Sequence, residues 1–323
     1  MPAEALRSMQ MPHIPEVTAP QHAFKVGDPV GITSDDGSRI QFQVQQIFQN
    51  GEAYMLIPTD GTQMGPIMLK PFVYAGNAKD AEADKLAFVN HQLILQRSNE
   101  AGVSRIPQGH GFLHIEQGPQ AGWYSIESAV PGVALDTFMQ THNLTVKQRL
   151  QIFAQVAETI TALHQVPTQP YEDEDPYIGV VHRDLNPRNI LVAEDGTVHI
   201  IDFGASGING IPTGHERVMF AVDGFRALEQ MNPQQPALTS NDDYALGIIL
   251  YHLFGGETTD DALFQAAIDN EQSPLVGSPI FENLRQTNPD IANMLFYATQ
   301  ISPDLRATAA QLTQAAMNAI AIR

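Results

Sequence analysis

Short apolar runs broken by turn residues dominate the chain from Phe24 to Phe72. Ile40 to Phe48, Tyr54 to Pro58 and Pro66 to Pro71 are separated by Asp35-Asp36-Gly37, Asn50-Gly51 and Asp60-Gly61. Asn-Gly and Asp-Gly pairs supply the positive φ that tight hairpins need, so this region is expected to fold as an antiparallel meander. The period then changes. Between Asp80 and Gln96 the residues Leu86, Val89, Leu93 and Leu95 form a helix-like stripe, with acids at its start where the helix dipole favours them. Two more strand-like runs, Gly111 to Gln117 and Trp123 to Ser128, close a first lobe near Val130-Pro131-Gly132.

Beyond that point the pattern is mainly helical. Leu150, Phe153, Val156, Ile160 and Leu163 recur at three- and four-residue steps between Val146 and His164, and Asp243 to Phe254 and Ile291 to Ile301 are further helical candidates. Val180-Val181, Ile190 to Val192 and Val198 to Ile201 read as short strands around a polar loop. Residues 1–23, with Pro2, Pro12, Pro15 and Pro20 and little periodicity, read as an extended arm outside the core. The expected organisation is therefore an arm (1–23), a first lobe (24–130) and a second lobe (131–323), with no solenoid-length repeat.

Composition narrows the classes of function. With 323 residues and 43% hydrophobic content the chain is long enough for two sizeable cores, and its 16% charged fraction is low. Acids outnumber bases 36 to 17, giving a net charge of −19, and such a field repels nucleic acid and anionic lipid at long range. The absence of cysteine excludes disulfides, thiolate metal sites and thiol nucleophiles and fits a reducing compartment. No signal-like start is present, and the longest apolar stretch, Tyr244 to Phe254, is far shorter than the roughly 18 residues of a membrane span. A soluble cytoplasmic protein with no nucleic-acid or membrane partner is the expectation.

The informative chemistry runs from Val180 to Gly204. Val-Val-His-Arg-Asp-Leu-Asn-Pro-Arg-Asn-Ile-Leu-Val is followed by a turn at Asp195-Gly196 and then by His-Ile-Ile-Asp-Phe-Gly. Asp184, Asn189 and Asp202 thus sit on polar loops between short apolar strands, as oxygen ligands suited to a hard cation. These two motifs, in this order, resemble the catalytic core of the eukaryotic-like protein kinases. The resemblance implies an α+β, bilobal fold, with a small antiparallel-sheet N-lobe carrying one helix and a mainly helical C-lobe. It also implies ATP and Mg²⁺, transfer of the γ-phosphate to a protein hydroxyl, Ser or Thr first, and a protein substrate. In that reading Asp184 accepts the hydroxyl proton, Asn189 and Asp202 hold Mg²⁺, and Arg183 and Asn186 complete the catalytic loop.

Later segments extend the resemblance. Ala227-Leu228-Glu229 takes the place of the family's Ala-Pro-Glu, and Asn241 to Gly247 looks like the start of the central C-lobe helix, with Asp242 accepting hydrogen bonds from the backbone of His182 and Arg183. Pro303 to Thr308 resembles the segment whose Arg pairs with that Glu, so a Glu229–Arg306 ion pair is expected. In the first lobe, Ile67-Met68-Leu69-Lys70 resembles the strand whose Lys contacts the ATP phosphates. Gly51 falls in the phosphate-covering loop, and Trp123 to Ser128 looks like the strand and hinge that receive adenine. Ile126 and Glu127 then belong to the nucleotide site, with Ile126 at its back.

Several departures stand out. The phosphate-covering loop holds one glycine, Gly51, beside Glu52. His91 stands where a helix Glu is expected opposite Lys70; a neutral His91 would accept a hydrogen bond from Lys70 and a protonated one would repel it, so the clamp is expected to be weakened and pH-sensitive, and His91→Glu is expected to hold or raise activity. Asn186 replaces the Lys of Ser/Thr-directed members, Arg188 is similar to tyrosine-directed ones, and Val222 replaces a substrate-facing Thr. The acidic run Tyr171 to Asp175 reads as a solvated loop or a docking site for a basic regulatory partner. Ser206 and Thr213 are candidate activating phosphosites. His110 and His114 have no third ligand near them, and no metal is assigned to them. Besides an active kinase, these departures leave open a pseudokinase that binds nucleotide or scaffolds, and a small-molecule kinase.

Overall fold

The structure, a computed structural model, describes residues 23–33, 39–48, 51–62, 64–72, 81–168, 177–211, 224–232, 235–257 and 261–323. The arm before residue 23, the acidic run Tyr171 to Asp175, and Thr213 and Val222 lie outside them. The chain divides into two units. One holds the described residues up to Asn99 with Pro107–Val130, and the other holds Glu100–Ile106 with Pro131–Arg323.

In the first unit, β1 (Pro29–Thr33), β2 (Arg39–Phe48), β3 (Ala53–Pro58), β4 (Ile67–Pro71), β5 (Gly109–Ile115) and β6 (Gly122–Ser128) form one antiparallel sheet. Its order is β1-β2-β3-β4-β6-β5. Residues opposite each other across a ladder share a face, so the pairing of Leu69 with Ile126 and of Lys70 with Ser125 sorts the strands into two sides. Ile67, Leu69, Tyr124 and Ile126 join Phe42, Val44, Tyr54 and Leu56 in the apolar core. Phe24 closes that core edge-on against the Tyr54 ring at 5.2 Å. Lys70, Ser125 and Glu127 occupy the other face.

Helix α1 (Ala81–Glu100) packs on that polar face. Phe88 sits between Phe72 and Phe112, 5.1 Å from each ring. Gln92 supplies the polar anchor. The β5 ladder slips between Gly109 and Gly111, which frees the Gly111 amide. Gln92 Oε1 accepts that amide at 3.0 Å while its Nε2 donates to the Ile126 carbonyl at 3.1 Å.

The second unit is helical: α2 (Leu135–Thr141), α3 (Val146–Leu163), α4 (Thr239–Leu253), α5 (Asp261–Asn270), α6 (Pro279–Thr287), α7 (Pro289–Ala298) and α8 (Ala309–Ala321). A reciprocal Thr145–Gln148 capping box starts α3, and α8 lies along it. Every residue of α4 from Asn241 to Tyr251 is buried, as befits a helix surrounded by others. A Cβ on Gly247 would lie 2.5 Å from Thr299 Cγ2 and 2.8 Å from Ala298 Cβ, so only glycine lets α4 approach the end of α7 this closely. Ile190–Val192 pairs with Val198–Ile200 and with Val133–Ala134, and Val180–Val181 pairs with Gly207–Ile208. These short ladders hold the two ends of the loop 182–189. Among the described residues no helix is long and apolar enough to cross a membrane.

Asp243 carries a pH dependence in the middle of this unit. Its Oδ1 accepts the Ala309 amide at the start of α8 at 2.7 Å. Burial nevertheless pushes its carboxyl up to about 7, the neighbouring His164 and the Ala309 amide opposing that rise and Asp242 adding to it. A carboxyl whose folded value is raised contributes stability that is complete below its unfolded value and is lost as pH rises through the folded one. The folded state is therefore expected to lose on the order of 4 kcal/mol between about pH 4 and pH 7 from this group. Asp243→Asn keeps the acceptor for Ala309 and removes the ionisation. Melting temperatures of the two proteins are expected to agree below about pH 4, and the variant is expected to be the more stable at pH 8.

Candidate active site

The loop between the Val180–Val181 and Ile190–Val192 strands is bent around Arg183, whose φ of +67° is in the left-handed region. Asp242, at 0% exposure, holds that bend from the first turn of α4. Its Oδ2 accepts the His182 amide and its Oδ1 the Arg183 amide, both at 2.8 Å, as the resemblance implied. His164 adds a third contact to Asp242 Oδ2 at 3.0 Å. Burial alone would raise the Asp242 carboxyl; His164, His182 and the Arg183 amide outweigh it and hold the group below the usual range. The His182 ring faces the Ile201 carbonyl at 3.1 Å, so its Nε2 carries the proton and Nδ1 accepts the Asp184 amide at 3.4 Å. Phe203, buried, packs edge-on against that imidazole at 5.0 Å. Asp202 takes φ +66° immediately before the single 3₁₀ turn Phe203–Ala205. Non-glycine residues held in this region are strained, and such strain collects at working sites.

Asp184 and Asn189 meet directly. Asn189 Nδ2 donates to the Asp184 carbonyl at 2.8 Å and to Asp184 Oδ2 at 3.0 Å. Both amide hydrogens are thereby used, and the atom Asn189 still offers is a carbonyl oxygen, a hard donor. Burial pushes the Asp184 carboxyl up; His182 opposes this and Asp202 adds to it. Two carboxyl groups that repel each other next to an amide oxygen form a donor set that suits Mg²⁺ held jointly with phosphate oxygens.

Asn186 has a different task from the catalytic one its position suggests. It is 3% exposed, its Oδ1 caps the short 3₁₀ turn Pro187–Asn189 through the Arg188 amide at 3.0 Å, and its Nδ2 donates to the Asp184 carbonyl at 3.0 Å. Asn186 thus braces its own loop with its Oδ1 and one Nδ2 hydrogen. The cation beside Asp184 comes instead from Arg226, whose charge favours ionised Asp184 and which no motif in the sequence marked. Gln230 ties that segment to the loop, accepting the Ala227 amide at 3.1 Å and donating to the Arg183 carbonyl at 3.0 Å. Ser206 is 7% exposed and its hydroxyl contacts the His182 carbonyl at 3.3 Å, so it is a structural hydroxyl rather than an accessible phosphosite.

Glu229 and Arg306 form the expected pair: Arg306 Nη1 lies 2.5 Å from Glu229 Oε1 and Nη2 lies 3.0 Å from Oε2.

In the first unit, Lys70 Nζ lies 2.9 Å from Glu127 Oε1, and His91 Nε2 lies 2.9 Å from Glu127 Oε2. Glu127 therefore stands between the two residues that the sequence placed in direct contact. Its carboxyl, buried in a setting that by itself would raise it, is driven down to about 2 by the Lys70 charge and the His91 hydrogen bond. Ile126, expected at the back of a nucleotide pocket, faces the apolar core on the opposite side of the sheet, because the β4–β6 register puts it across from Leu69 rather than Lys70. Gly51 has φ +109° and its amide donates to the Phe48 carbonyl at 2.9 Å. That amide closes the β2–β3 turn and is not offered to a phosphate. The Ser128 and Ala129 amides are likewise taken, by the Gln108 and Pro66 carbonyls at 2.9 and 3.0 Å. His114 stacks on Trp123 at 4.4 Å.

An antiparallel sheet bearing a lysine–glutamate pair, and a helical unit bearing linked Asp–Asn and Asp-Phe-Gly loops, define a protein-kinase fold. A family model described as the protein kinase domain matches residues 115–317. The chain is 29% identical over 174 residues to wall-associated receptor kinase 5 of Arabidopsis thaliana, covering 53% of this chain and 22% of that protein. It is 26% identical over 246 residues to calcium/calmodulin-dependent protein kinase type 1B of Rattus norvegicus, covering 73% and 64%. It is 25% identical over 240 residues to serine/threonine-protein kinase PknB of Mycobacterium tuberculosis, covering 72% and 34%. The chain thus spans less than two thirds of each of these relatives, and it belongs to the protein kinase family.

Proposed function

We propose that the chain is an active ATP- and Mg²⁺-dependent protein kinase that phosphorylates a Ser or Thr hydroxyl of a protein substrate. The observation that carries this reading is the Asp184–Asn189 contact at 3.0 Å on a loop whose bend is pinned by Asp242. Asp184 takes the proton of the acceptor hydroxyl as its oxygen bonds to phosphorus and the bond to the departing nucleotide oxygen breaks. Asn189 Oδ1 and the Asp202 carboxylate are the groups to hold Mg²⁺, which when bound neutralises charge on the phosphate oxygens. Lys70 is read as the phosphate-contacting lysine of the first unit, and within the second unit Arg226 supplies the positive charge beside Asp184 that Asn186 does not. The Ser/Thr assignment leans on the named activity of the PknB relative. The cysteine-free composition supports a cytoplasmic setting.

The test is transfer of labelled γ-phosphate from ATP with the purified chain, on itself and on general protein acceptors. Asp184→Asn is expected to lower the rate by about 10²–10⁴-fold, the contribution of a positioned base. Equal labelling by wild type and Asp184→Asn would sink the proposal. One observation favours a second reading, a pseudokinase that binds nucleotide and scaffolds: the Gly51 amide is spent inside its own turn. Mg²⁺-dependent nucleotide binding with no transfer would establish it.

A further inference from the structure

We propose that Glu127 is the positioning residue for Lys70, a strand carboxylate doing the work of a helix acid, with His91 of α1 bracing it through a hydrogen bond. The inference rests on the reading of Lys70 as the phosphate-contacting lysine. Lys70 pairs with Ser125 across the β4–β6 ladder, which places Glu127 on its diagonal and on the same face. Diagonal neighbours are within reach of long side chains. Each Glu127 oxygen has its own partner at 2.9 Å, Lys70 on Oε1 and His91 on Oε2. The Glu127 side chain is 3% exposed while that of Lys70 is 23% exposed, so the carboxylate is sealed in and the ammonium reaches out from it. A buried charge persists only when paired, and an ionised carboxylate is acceptor-only, so His91 Nε2 must carry the hydrogen.

The charged half of the clamp is thus built inside one sheet. Helix α1 contributes the His91 ring N–H, so its acid-free stretch from Lys85 to Asn99 is no defect. The effect of His91→Glu reverses accordingly: a second carboxylate would face Glu127 in a site closed to water, and activity should fall rather than hold.

Two readouts on the full chain test this. In Glu127→Gln, kcat/KM for ATP is expected to fall about ten-fold or more, as for loss of a charge-assisted contact. Independently of any transfer, the rate at which trace acetic anhydride acetylates Lys70, read by mass spectrometry against Lys147 in the same molecule, is expected to rise several-fold, because an amine released from a carboxylate is a better nucleophile. The double variant Glu127→Gln with His91→Glu returns a carboxylate from the helix side and should restore slow acetylation and part of the lost kcat/KM. A folded Glu127→Gln whose Lys70 acetylation and ATP kinetics match wild type overturns the proposal. If wild type shows no Asp184-dependent transfer the functional reading fails instead, and the acetylation rates still decide the role of Glu127.

Discussion

Asp242→Ala is expected to destabilise the chain by roughly 3–5 kcal/mol, because it strands several buried donors at once and each costs about 1–3 kcal/mol without a partner. The His182 and Arg183 amides and the His164 ring all turn to this one carboxylate, which is itself fully buried. The Arg183 amide cannot find another acceptor cheaply, since φ +67° is maintained only by what surrounds it. The energetic and catalytic consequences separate in Asp242→Asn. That variant keeps the shape and one acceptor oxygen but turns an NH₂ toward a backbone N–H, so the bend is expected to relax and Asp184 to lose its placement. Urea unfolding should show a smaller loss than in the alanine variant, with phosphate transfer reduced at least as far. The carboxyl is held below its usual range, so its contribution is present above the ordinary carboxylate value and disappears as the medium is acidified. A wild-type midpoint in Asp242→Ala would show that the loop is held by something else.

What the sequence disclosed follows a physical division. Asp184 and Asn189 are five residues apart and act through one tight loop, so contiguous residues define them. The Glu229–Arg306 pair spans 77 positions yet was legible, because each partner lies in a motif of its own. The Lys70–Glu127 pair was not, although both residues were singled out. Which of Ile126 and Glu127 faces Lys70 depends on register, and a one-residue slip exchanges the faces of a strand. The bonds of Asn186 were hidden for a related reason: a side chain at a catalytic position can also brace its own turn, and only its hydrogen-bond partners show it. Strand β1, five residues containing Pro29 and Gly31, has too little contrast to read as a strand. Helix α8 packs through Ala309, Leu312, Ala316 and Ala319, a stripe of mostly small residues that a search for large apolar side chains passes over.

Arg306→Met should cost about as much as Asp242→Ala, roughly 3–5 kcal/mol, because it breaks a buried ion pair and leaves the other charge uncompensated. The guanidinium is enclosed: its two terminal nitrogens meet Glu229, Nη1 also meets the Ser240 carbonyl at 2.9 Å, Nη2 the Ile301 carbonyl at 2.8 Å, and Nε the Gln300 carbonyl at 2.7 Å. It also lies over the Tyr244 ring, 5.2 Å from its centroid. Arg306→Lys retains the charge but has fewer donors, without the planar fork, so it should recover only part of the loss. The Glu229 side chain is 14% exposed and Asn241 Nδ2 donates to its Oε1 at 2.9 Å, so the orphaned carboxylate in Arg306→Met would retain one weak partner. Most of the cost is then the stranded charge rather than the lost attraction. Adding Glu229→Leu to Arg306→Met is therefore expected to regain stability relative to Arg306→Met alone, by a clearly positive coupling in a thermal or urea double-mutant cycle. If the two losses simply add, the pair is not the electrostatic unit its geometry describes, and the Arg306 carbonyl contacts must account for the stability of this corner.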